Sequence, residues 1–565
     1  MKLYLLLLFA LCHAIVQAQT TLANYTGVIT GQVQDENGQP LAGAIVTASA
    51  APTSVSGARS TTRSAVTNEE GQFRLTGLPS AAYLLSASLP AYVHLPQPGA
   101  LGEPHYFHDG DSATLTLTKG SVITGRVLNA NGEPIPGLNI KATRVRAAAD
   151  QATGNASFAR RTDDRGVYRI FGLPAGVYIV GTDGADFGWS WNADEQAADA
   201  PTYHPASTRD AALELSLQSG QELPGIDIRY RGERGYSVSG KLYDGGTTGG
   251  VNIELRQAGA RVAATWQSLY RTQPNQGIGF ELRGVAAGEY ELVAERVSGD
   301  DDGAAAAPRR LAVNGADVSG LELRLTPYAS VAGKLVLEAP PESKAADKPT
   351  CLPARKAALE EAALYLIAET PQSRAALPAA FATPQGAFKI RYLPAGRYRF
   401  NAQLPSDAWY LRSIAAPDAA SKRPLDLGRA GLTLKAGEPR KEVTLTIATG
   451  AASLTGKLTT VAGVKLPAQM WVHLVPAEKE AADEVLRYAE TEAAPDGAFA
   501  LRQLAPGKYW IIARTSEATN ERPLPLAWNQ AERAKLRRAA EAANAVVELQ
   551  PCQQMKNYAL KYAPE

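Results

Sequence analysis

A short segment near residue 105 gathers the side chains that are most typical of a metal site. Residues 105–111 read HYFHDGD, so two imidazoles, His105 and His108, stand beside two carboxylates, Asp109 and Asp111. Imidazole nitrogens and carboxylate oxygens are common ligands of divalent metals in proteins. Asp and Gly at this spacing are also typical of a turn that shapes the backbone before a strand. The segment therefore supports two hypotheses, a metal site at these four residues and a structural turn.

A second candidate site lies at residues 186–192, which read DFGWSWN. Alternate residues of an extended segment point to the same side, so Trp189 and Trp191 would present both indole rings together. Flat aromatic rings can stack on sugar rings, and Asp186 could accept hydrogen bonds from sugar hydroxyls. The competing interpretation is a loop anchored by its aromatic side chains. The segment therefore gives a hypothesis of carbohydrate binding at these three residues.

The sequence lacks the motifs of several hydrolase and nucleotide-binding classes. A zinc carboxypeptidase needs a histidine with a glutamate close in sequence and a second, distant histidine, which together hold a metal with one open position. None of the six histidines has a glutamate three residues later. The serine-hydrolase motif Gly-x-Ser-x-Gly and the phosphate-binding motif Gly-x-x-x-x-Gly-Lys-Ser/Thr are also missing. We therefore predict no enzymatic activity and no cofactor, and a metallohydrolase is the least favoured alternative.

The first eighteen residues predict a secretory signal peptide. Met1 and Lys2 precede the apolar run Leu3–Ala10, and the small residue Ala18 suits cleavage before Gln19. No later stretch approaches the ~18 consecutive apolar residues of a membrane-spanning helix. We therefore expect export to the periplasm, the outer-membrane surface or the medium, with no transmembrane segment after signal cleavage.

Signal cleavage would leave two of the three cysteines, Cys351 and Cys552. Two cysteines remaining in an exported protein often pair, and closing so long a loop stabilises the folded chain by up to ~4–5 kcal/mol in the chain-entropy model. Two independent thiols are the alternative. The sequence therefore predicts a possible disulfide between the last two repeats described below.

Length and charge set limits on architecture and partners. The chain has 565 residues, and at about 100–200 residues per domain this length suggests roughly three to six domains. The 57 basic and 56 acidic side chains give a net charge of +1, so no overall field attracts a polyanion. We therefore expect a multidomain protein that binds no nucleic acid.

Pairs of aromatic residues mark a repeat along the chain, and this repeat predicts the strands that carry the candidate residues. Ten positions separate the members of each pair, and a turn rich in Gly, Pro or Ala lies between them. The pairs are Phe73/Tyr83, Tyr168/Tyr178, Phe280/Tyr290, Phe388/Tyr398 and Phe499/Tyr509. Recurrence of this kind indicates one supersecondary unit copied along the chain. We expect these aromatic side chains to be core residues first.

Each repeat predicts about seven short strands per ~100 residues, which is typical of a β-sandwich. The turns containing Asn37-Gly38 and Asn131-Gly132 predict a tight hairpin after the first strand, and each aromatic pair predicts a later hairpin. A closing strand is predicted last in each repeat, at 114–118, 226–229, 321–325, 443–447 and 546–549. We expect five units, at residues 27–119, 120–230, 231–327, 328–448 and 449–565.

Three segments of the last two units predict helices. Residues 355–365 and 478–489 are rich in Ala, Glu and Leu. Near the end, Asn529 and Glu532 form the pattern of a capping box, which predicts a helix through about Ala543. We interpret Arg533, Arg537 and the other cations of this helix as a solvated face.

The order of motifs in the first two units resembles the carboxypeptidase regulatory-like domain. The residues that carry the resemblance run from Thr30-Gly31 to Tyr83 and from Thr124-Gly125 to Tyr178: TG-x-V, then NG-x-P, then G-x-F/Y, then LP and a tyrosine. Units four and five share part of this order. Segments such as 409–414 and 549–552 are similar to exported multi-repeat proteins of this family from acidobacteria.

The resemblance implies a transthyretin-like, carbohydrate-binding-like sandwich, and it does not imply catalysis, because the regulatory domain of a zinc carboxypeptidase stands beside its catalytic domain. The fold class we predict is all-β, a tandem array of about five transthyretin-like or Ig-like β-sandwich domains with short helical insertions in the last two. The function we favour is an exported, monomeric, non-enzymatic binding or structural protein of the bacterial cell envelope. The alternative is an accessory protein that binds polysaccharide.

Overall fold

The computed structural model describes most of the chain as β-strands. The residues it describes are 27–51, 62–95, 103–147, 157–182, 199–243, 250–257, 263–269, 277–296, 303–338, 357–369, 379–418, 423–460, 465–467, 469–515 and 524–562. These residues also form two α-helices and four short 3₁₀ helices. The chain is therefore all-β, as predicted.

Buried apolar side chains form five large clusters, one in each predicted unit. In the first unit, one sheet has the strand order β4-β1-β7-β6 and the other β3-β2-β5. The strands are β1 (Gly27–Asp35), β2 (Ile45–Ala50), β3 (Thr62–Val66), β4 (Gln72–Leu78), β5 (Tyr83–Ser88), β6 (Tyr92–His94) and β7 (Ser112–Lys119). Side chains of both sheets share one cluster, so the sheets pack face to face as a β-sandwich.

The second unit repeats this arrangement. Its sheets have the orders β11-β8-β14, with β15 also on β8, and β10-β9-β12-β13. The strands are β8 (Ser121–Leu128), β9 (Asn139–Ala147), β10 (Ser157–Arg161), β11 (Val167–Leu173), β12 (Gly176–Thr182), β13 (Leu215–Leu217), β14 (Glu222–Leu223) and β15 (Ile228–Arg229), with a 3₁₀ turn at Arg209–Ala211.

In the third unit the two halves join into one sheet of eight strands. The order is β18-β17-β20-β21-β23-β16-β19, and β22 pairs with β20. The strands are β16 (Tyr236–Tyr243), β17 (Val251–Gln257), β18 (Ala263–Leu269), β19 (Ile278–Val285), β20 (Gly288–Arg296), β21 (Ala304–Ala306), β22 (Arg309–Val313) and β23 (Val318–Pro327). The halves are continuous because the short β21 pairs with both β20 and β23.

The fourth unit has sheets β27-β24-β32-β29-β30 and β26-β25-β28-β31. The strands are β24 (Ala329–Glu338), β25 (Ala363–Ala368), β26 (Ala380–Phe381), β27 (Ala387–Leu393), β28 (Gly396–Gln403), β29 (Trp409–Ala416), β30 (Leu425–Asp426), β31 (Leu432–Leu434) and β32 (Pro439–Thr449). A 3₁₀ turn at Leu359–Glu361 precedes β25, and helix α1 (Leu427–Ala430) follows β30.

The fifth unit has sheets β36-β33-β39 and β35-β34-β37-β38. The strands are β33 (Ala452–Thr459), β34 (Met470–Pro476), β35 (Ala489–Glu492), β36 (Ala498–Leu504), β37 (Gly507–Thr515), β38 (Val546–Leu549) and β39 (Gln554–Lys561). Two 3₁₀ turns lie at Val485–Arg487 and Leu526–Trp528, and helix α2 is Gln530–Ala543. The helix covers the outer face of the second sheet, where Leu536 and Ala540 pack on Val475.

A glycine in the first strand explains part of the repeated motif. The closing strand runs parallel to the first strand, and a Cβ added at Gly31 would lie 2.0 Å from the Ala113 carbonyl oxygen and 2.7 Å from the Phe73 ring. The same close approach occurs in the other units, at Gly125, Gly240, Gly333 and Gly456. The TG motif is therefore required because only glycine lets the closing strand lie this close.

The second aromatic residue of each pair is a buried tyrosine that ties its own turn. Tyr83 donates a hydrogen bond from its hydroxyl to the carbonyl of Pro79, four residues earlier, at 2.7 Å. The other four repeat this bond, namely Tyr178, Tyr290, Tyr398 and Tyr509. All ten paired aromatics are at most 5% exposed, which confirms the prediction that they are core residues.

The hairpins predicted at the aromatic pairs are wrong, whereas the tight reversal predicted at Asn37-Gly38 is present but does not pair β1 with β2. Around this reversal the Asp35 amide donates to the Gln39 carbonyl at 2.8 Å, and the Leu41 amide donates to the Val33 carbonyl at 2.9 Å. The strands on either side of the Asn-Gly turn, β1 and β2, lie in different sheets, and so do β4 and β5 on either side of the aromatic turn. Asp35 instead closes the first turn locally, because its side chain accepts hydrogen bonds from the amides of Asn37 and Gln39. Both turns are therefore corners at which the chain crosses from one sheet to the other.

Two of the predicted helices and one closing strand also need correction. In their described residues, segments 355–365 and 478–489 each contain one 3₁₀ turn and no α-helix. The end of the first segment belongs to β25, because the residues of this strand are buried on both faces and pair with β28. In the fifth unit, β38 at 546–549 joins the second sheet, and β39 is the strand that runs parallel to the first strand. The terminal helix is confirmed, since Asn529 accepts hydrogen bonds from the amides of Ala531 and Glu532.

Candidate functional site

The first unit packs against the fourth unit, although about 250 residues separate them in sequence. Between the two units, Tyr106 contacts Phe381 edge to face, with ring centroids 5.1 Å apart. Ala82, Ala363 and Tyr365 complete a buried cluster around this pair. All five are at most 6% exposed. Burial of aromatic side chains is a major source of interface stability, so this cluster holds the two units together.

Polar contacts surround the cluster. The Ser80 hydroxyl donates to the Glu361 carboxylate at 2.9 Å, and the Tyr365 hydroxyl donates to the Pro104 carbonyl at 3.2 Å. The side-chain amide of Gln403 both accepts from the Tyr106 backbone amide, at 3.3 Å, and donates to the Tyr106 carbonyl, at 3.0 Å. Gln403 therefore pairs with the backbone of the first unit much as a neighbouring strand would.

The segment predicted as a metal site forms part of this junction. His108 is buried, and its Nε2 lies 3.1 Å from the Glu361 carbonyl oxygen. Asp109 accepts a hydrogen bond from the Val28 amide at 2.6 Å, and Asp111 accepts one from the His108 amide at 2.7 Å. His105 Nδ1 lies 3.4 Å from the Gln403 side-chain nitrogen. The four side chains thus have different partners, which fits the turn hypothesis.

Within the described residues, no group of three or more His, Cys, Asp or Glu side chains is placed to hold a metal ion. The nearest approach within the segment is His108 Nδ1 to Asp111 Oδ2, at 3.5 Å. Asp109 and Asp111 instead accept hydrogen bonds from backbone amides, and these four side chains do not surround one metal position.

A cavity of about 320 Å³, which we call the junction cavity, lies where the first, fourth and fifth units meet. Glu103 contributes to its wall from the first unit, and β28 and β29 contribute Asn401 and Tyr410 from the fourth. The fifth unit supplies the larger share: Trp471, His473, Tyr488, Glu490, Gln503 and Trp528. The cavity therefore combines aromatic rings with amide, imidazole and carboxylate groups.

His473 and Glu490 are the buried polar pair of this cavity. They lie directly opposite each other on the antiparallel strands β34 and β35. His473 Nδ1 lies 3.2 Å from Glu490 Oε2, yet the two are not aligned for a hydrogen bond and this nitrogen has no hydrogen-bond partner. The imidazole is 5% exposed and the carboxylate 19%. Unpaired buried nitrogens are uncommon in folded proteins, which marks this one for attention.

Arg399 fixes the fourth unit against the fifth at one edge of the cavity. Its guanidinium donates to the Glu369 carboxylate at 2.7 Å and to the carbonyls of Gly428, Arg429 and Trp528 at 2.9–3.0 Å. On another edge, Gln503 donates to two carbonyls of the fourth unit, those of Leu404 and Ser406. The cavity wall is thus held by side chains with several hydrogen bonds each.

Helix α2 presents only part of the solvated basic face that its composition predicts, since Lys535 and Arg538 are exposed whereas Arg533 is buried and Arg537 is half-buried. Arg533 is 5% exposed and donates to the Ala527 carbonyl at 2.7 Å and to the Asp483 carboxylate at 3.1 Å. Arg537 donates to three carbonyls at 476–478 and lies over the Trp510 ring. Arg537 thus ties the helix to the end of β34, and Arg533 ties it to the preceding 3₁₀ turn and to Asp483.

The remaining candidates from the sequence are the carbohydrate-binding residues and the cysteines. Asp186, Trp189 and Trp191 lie outside the described residues. Cys552 is disulfide-bonded. Its partner lies outside the described residues, which is where Cys351 and Cys12 both stand.

Sequence reasoning missed the junction cavity entirely. Trp471 and His473 alternate with the core residues of β34, so they lie on the outer face of their sheet, where the fourth unit and α2 cover them. The sequence of β34 contains a signal for this cover, because the nearly continuous apolar run MWVHLVP indicates a strand that is buried on both faces. It does not indicate which unit supplies the cover.

One family model matches part of the chain. Residues 28–104 match the model described as carboxypeptidase regulatory-like domain. This match covers most of the first unit and agrees with the resemblance of its motifs. No curated protein sequence matches the chain.

Solved structures that match include several pilins. The minor pilin GBS52 of Streptococcus agalactiae is 13% identical, with 36% of this chain and 96% of that chain covered and a TM-score of 0.19. A streptococcal ancillary pilin is 13% identical, with 53% and 99% covered and a TM-score of 0.15. BcpA, the major pilin subunit of Bacillus cereus, is 10% identical, with 53% and 99% covered and a TM-score of 0.13. Overlap at this level carries no argument about function.

No helix in the described part of the chain is long and apolar enough to cross a membrane.

Proposed function

We propose that this protein is an exported, non-enzymatic binding or structural protein of the cell envelope, and that each of its five units is a domain. The carboxypeptidase regulatory-like match of the first unit supports this proposal, since such a domain carries no catalytic residues of its own. The signal peptide read from the sequence supports export. We further propose that the mature chain is a monomer.

The observation that carries the proposal is the docking of the first unit on the fourth. A chain that acts only as a spacer does not need contacts between units distant in sequence. In a binding protein, docking of the first unit on the fourth forms a cavity lined by three units. The cluster around Tyr106 and Phe381 closes the chain in this way, and the junction cavity lies beside it. Sites between domains are common places for ligands.

A carbohydrate-binding function is the second candidate. The mixture of tryptophans with carboxylate and amide side chains in the junction cavity favours it, since sugars offer flat C–H faces to aromatic rings and hydroxyls to acceptors. The sequence offers Trp189 and Trp191 as a separate candidate platform for the same ligand class.

Retention of the secreted chain on purified peptidoglycan and on cell-envelope polysaccharides tests the proposed function. We expect retention on at least one of these polymers, and no turnover of peptide or ester substrates with or without added zinc. Zinc-dependent peptide hydrolysis that disappears with chelator, or a lack of retention on every polymer together with a normal envelope in a deletion strain, would contradict the proposal.

A further inference from the structure

The junction cavity has features of a site for a small neutral ligand, and we propose that it binds one or two sugar residues. This inference rests on the proposed function, because it names the ligand class of the same site. Its volume, about 320 Å³, is at the low end of the range of ligand pockets, roughly 300–1,000 Å³. A site of this size accepts a small sugar or the end of a glycan and excludes a long polymer strand or a folded partner.

The aromatic residues of the cavity are placed to contact a ring. Trp471 on β34, Tyr410 on β29 and Trp528 on the 3₁₀ turn at Leu526–Trp528 come from two different units, and all three are only partly buried. Each therefore contributes to the cavity wall. An apolar C–H face of a sugar ring can cover such a surface and leave its hydroxyls pointing sideways to polar groups.

The polar residues of the cavity favour a ligand with hydroxyl donors. Glu490 and Glu103 bring carboxylates, which accept hydrogen bonds from hydroxyls, and Asn401 brings an amide. His473 Nδ1 is buried without a hydrogen-bond partner beside the Glu490 carboxylate. The Glu490 carboxylate is 19% exposed, so a sugar hydroxyl in the cavity can donate a hydrogen bond to it.

The cationic residues of the wall argue against an anionic ligand. Arg399 already donates to Glu369 and to three backbone carbonyls. Arg502 is exposed at the rim and lies 3.2 Å from the Asp407 carboxylate. The arginines of the described cavity wall thus have protein acceptors, and the lining also includes the Glu103 and Glu490 carboxylates. A phosphate or carboxylate ligand would meet these carboxylates at short range.

Binding of glucose, N-acetylglucosamine and their β-1,4-linked disaccharides to the full secreted chain tests the inference by calorimetry and ligand-observed NMR. We expect at least one of these sugars to bind. Glu490→Gln should weaken that binding roughly tenfold, because it removes a charged acceptor. Trp471→Ala should weaken it by a similar factor, and Trp471→Phe should restore part of it.

The matched control is Glu492→Gln on the same strand, where the side chain is exposed and lies outside the cavity wall. It should leave sugar affinity unchanged. Thermal unfolding of every variant shows whether the fold is retained, and Trp471→Phe keeps the test decisive if Trp471→Ala is unstable.

Three outcomes would overturn the inference: none of the sugars binds, ethanolamine or phosphate binds in their place, or Glu490→Gln and Trp471→Phe leave sugar affinity unchanged. If Glu490→Gln retains wild-type binding to an envelope polymer, the proposed function stands and the junction cavity is not its site. If the wild-type chain binds no polymer but binds a small sugar at this cavity, the inference stands alone.

Discussion

The first unit has one junction with the second unit and another with the fourth, and these two junctions are built differently. At the junction with the second unit, a single residue, Gly120, separates β7 from β8, and an exposed hydrogen bond of 3.0 Å joins Ser219 to Glu36. At the junction with the fourth unit, a buried cluster surrounds Tyr106 and Phe381. Units that are neighbours in sequence stay close through the chain, whereas distant units need buried surface to overcome the entropy of bringing them together.

Removing a large aromatic side chain from the distant junction should have the greatest effect. Phe381→Ala is expected to destabilise the chain by about 3–5 kcal/mol, because it leaves a cavity beside Tyr106. We expect the first unit to undock, with a larger radius of gyration in solution scattering and faster proteolysis between units. Phe171→Ala is the matched control, since Phe171 is 52% exposed and should change neither measurement.

A polar contact of the same junction should matter less. Ser80→Ala removes the hydrogen bond to Glu361, whose side chain is 1% exposed, and should cost about 1.5–3 kcal/mol in thermal or denaturant unfolding. A double-mutant cycle with Glu361→Gln isolates the pair. A coupling free energy near zero would show that the bond does not contribute to docking.

Acid should weaken the distant junction slightly. Burial lowers the pKa of His105 from its ordinary value of 6.5, and His108 lowers it further, while Asp111 and Glu103 raise it. Because the docked state prefers the neutral imidazole, this contribution to docking is present above pH 6.5 and is lost as the pH falls below it. The effect should be well below that of Phe381→Ala, since solvent reaches the side chain. Solution scattering at pH 7.5 and pH 5.5, with His105→Gln as the control, measures it.

The smallest effect is expected at the junction with the second unit. Ser219→Ala removes exposed hydrogen bonds to Glu36 and to the Lys119 carbonyl and should change the free energy of unfolding by less than about 0.5 kcal/mol. A loss as large as that of Ser80→Ala would end the contrast between the two junctions, because it would show that sequence neighbours also depend on side-chain contacts.

Much of each unit could be predicted from the sequence, because its signals are local. The glycine of the first strand, the paired aromatics and the alternation within strands appear in five copies and bury one face of each sheet. Helix α2 was predicted from its Asn529 cap for the same reason. These features depend on residues within one unit, so sequence separation does not obscure them.

The errors arose where residues of other units or other sheets decide the outcome. Segment 355–365 has helical composition, but the residues of β25 alternate between two cores, with Leu364 and Leu366 in that of the fourth unit and Ala363 and Tyr365 in the junction with the first. Burial on both faces overrides helix propensity there. The turns read as hairpins are corners for a related reason, since a turn motif does not specify which sheet receives the next strand.

The repeat, the strand content, the buried aromatic pairs and the terminal helix can be predicted from the sequence, because each follows from the spacing of apolar residues, glycines and capping groups. The contact of His108 and Tyr106 with the fourth unit, and the cavity lined by Trp471, His473 and Glu490, are visible only in the folded chain. Both depend on complementary surfaces from segments hundreds of residues apart. No local pattern in either segment records the shape of the other.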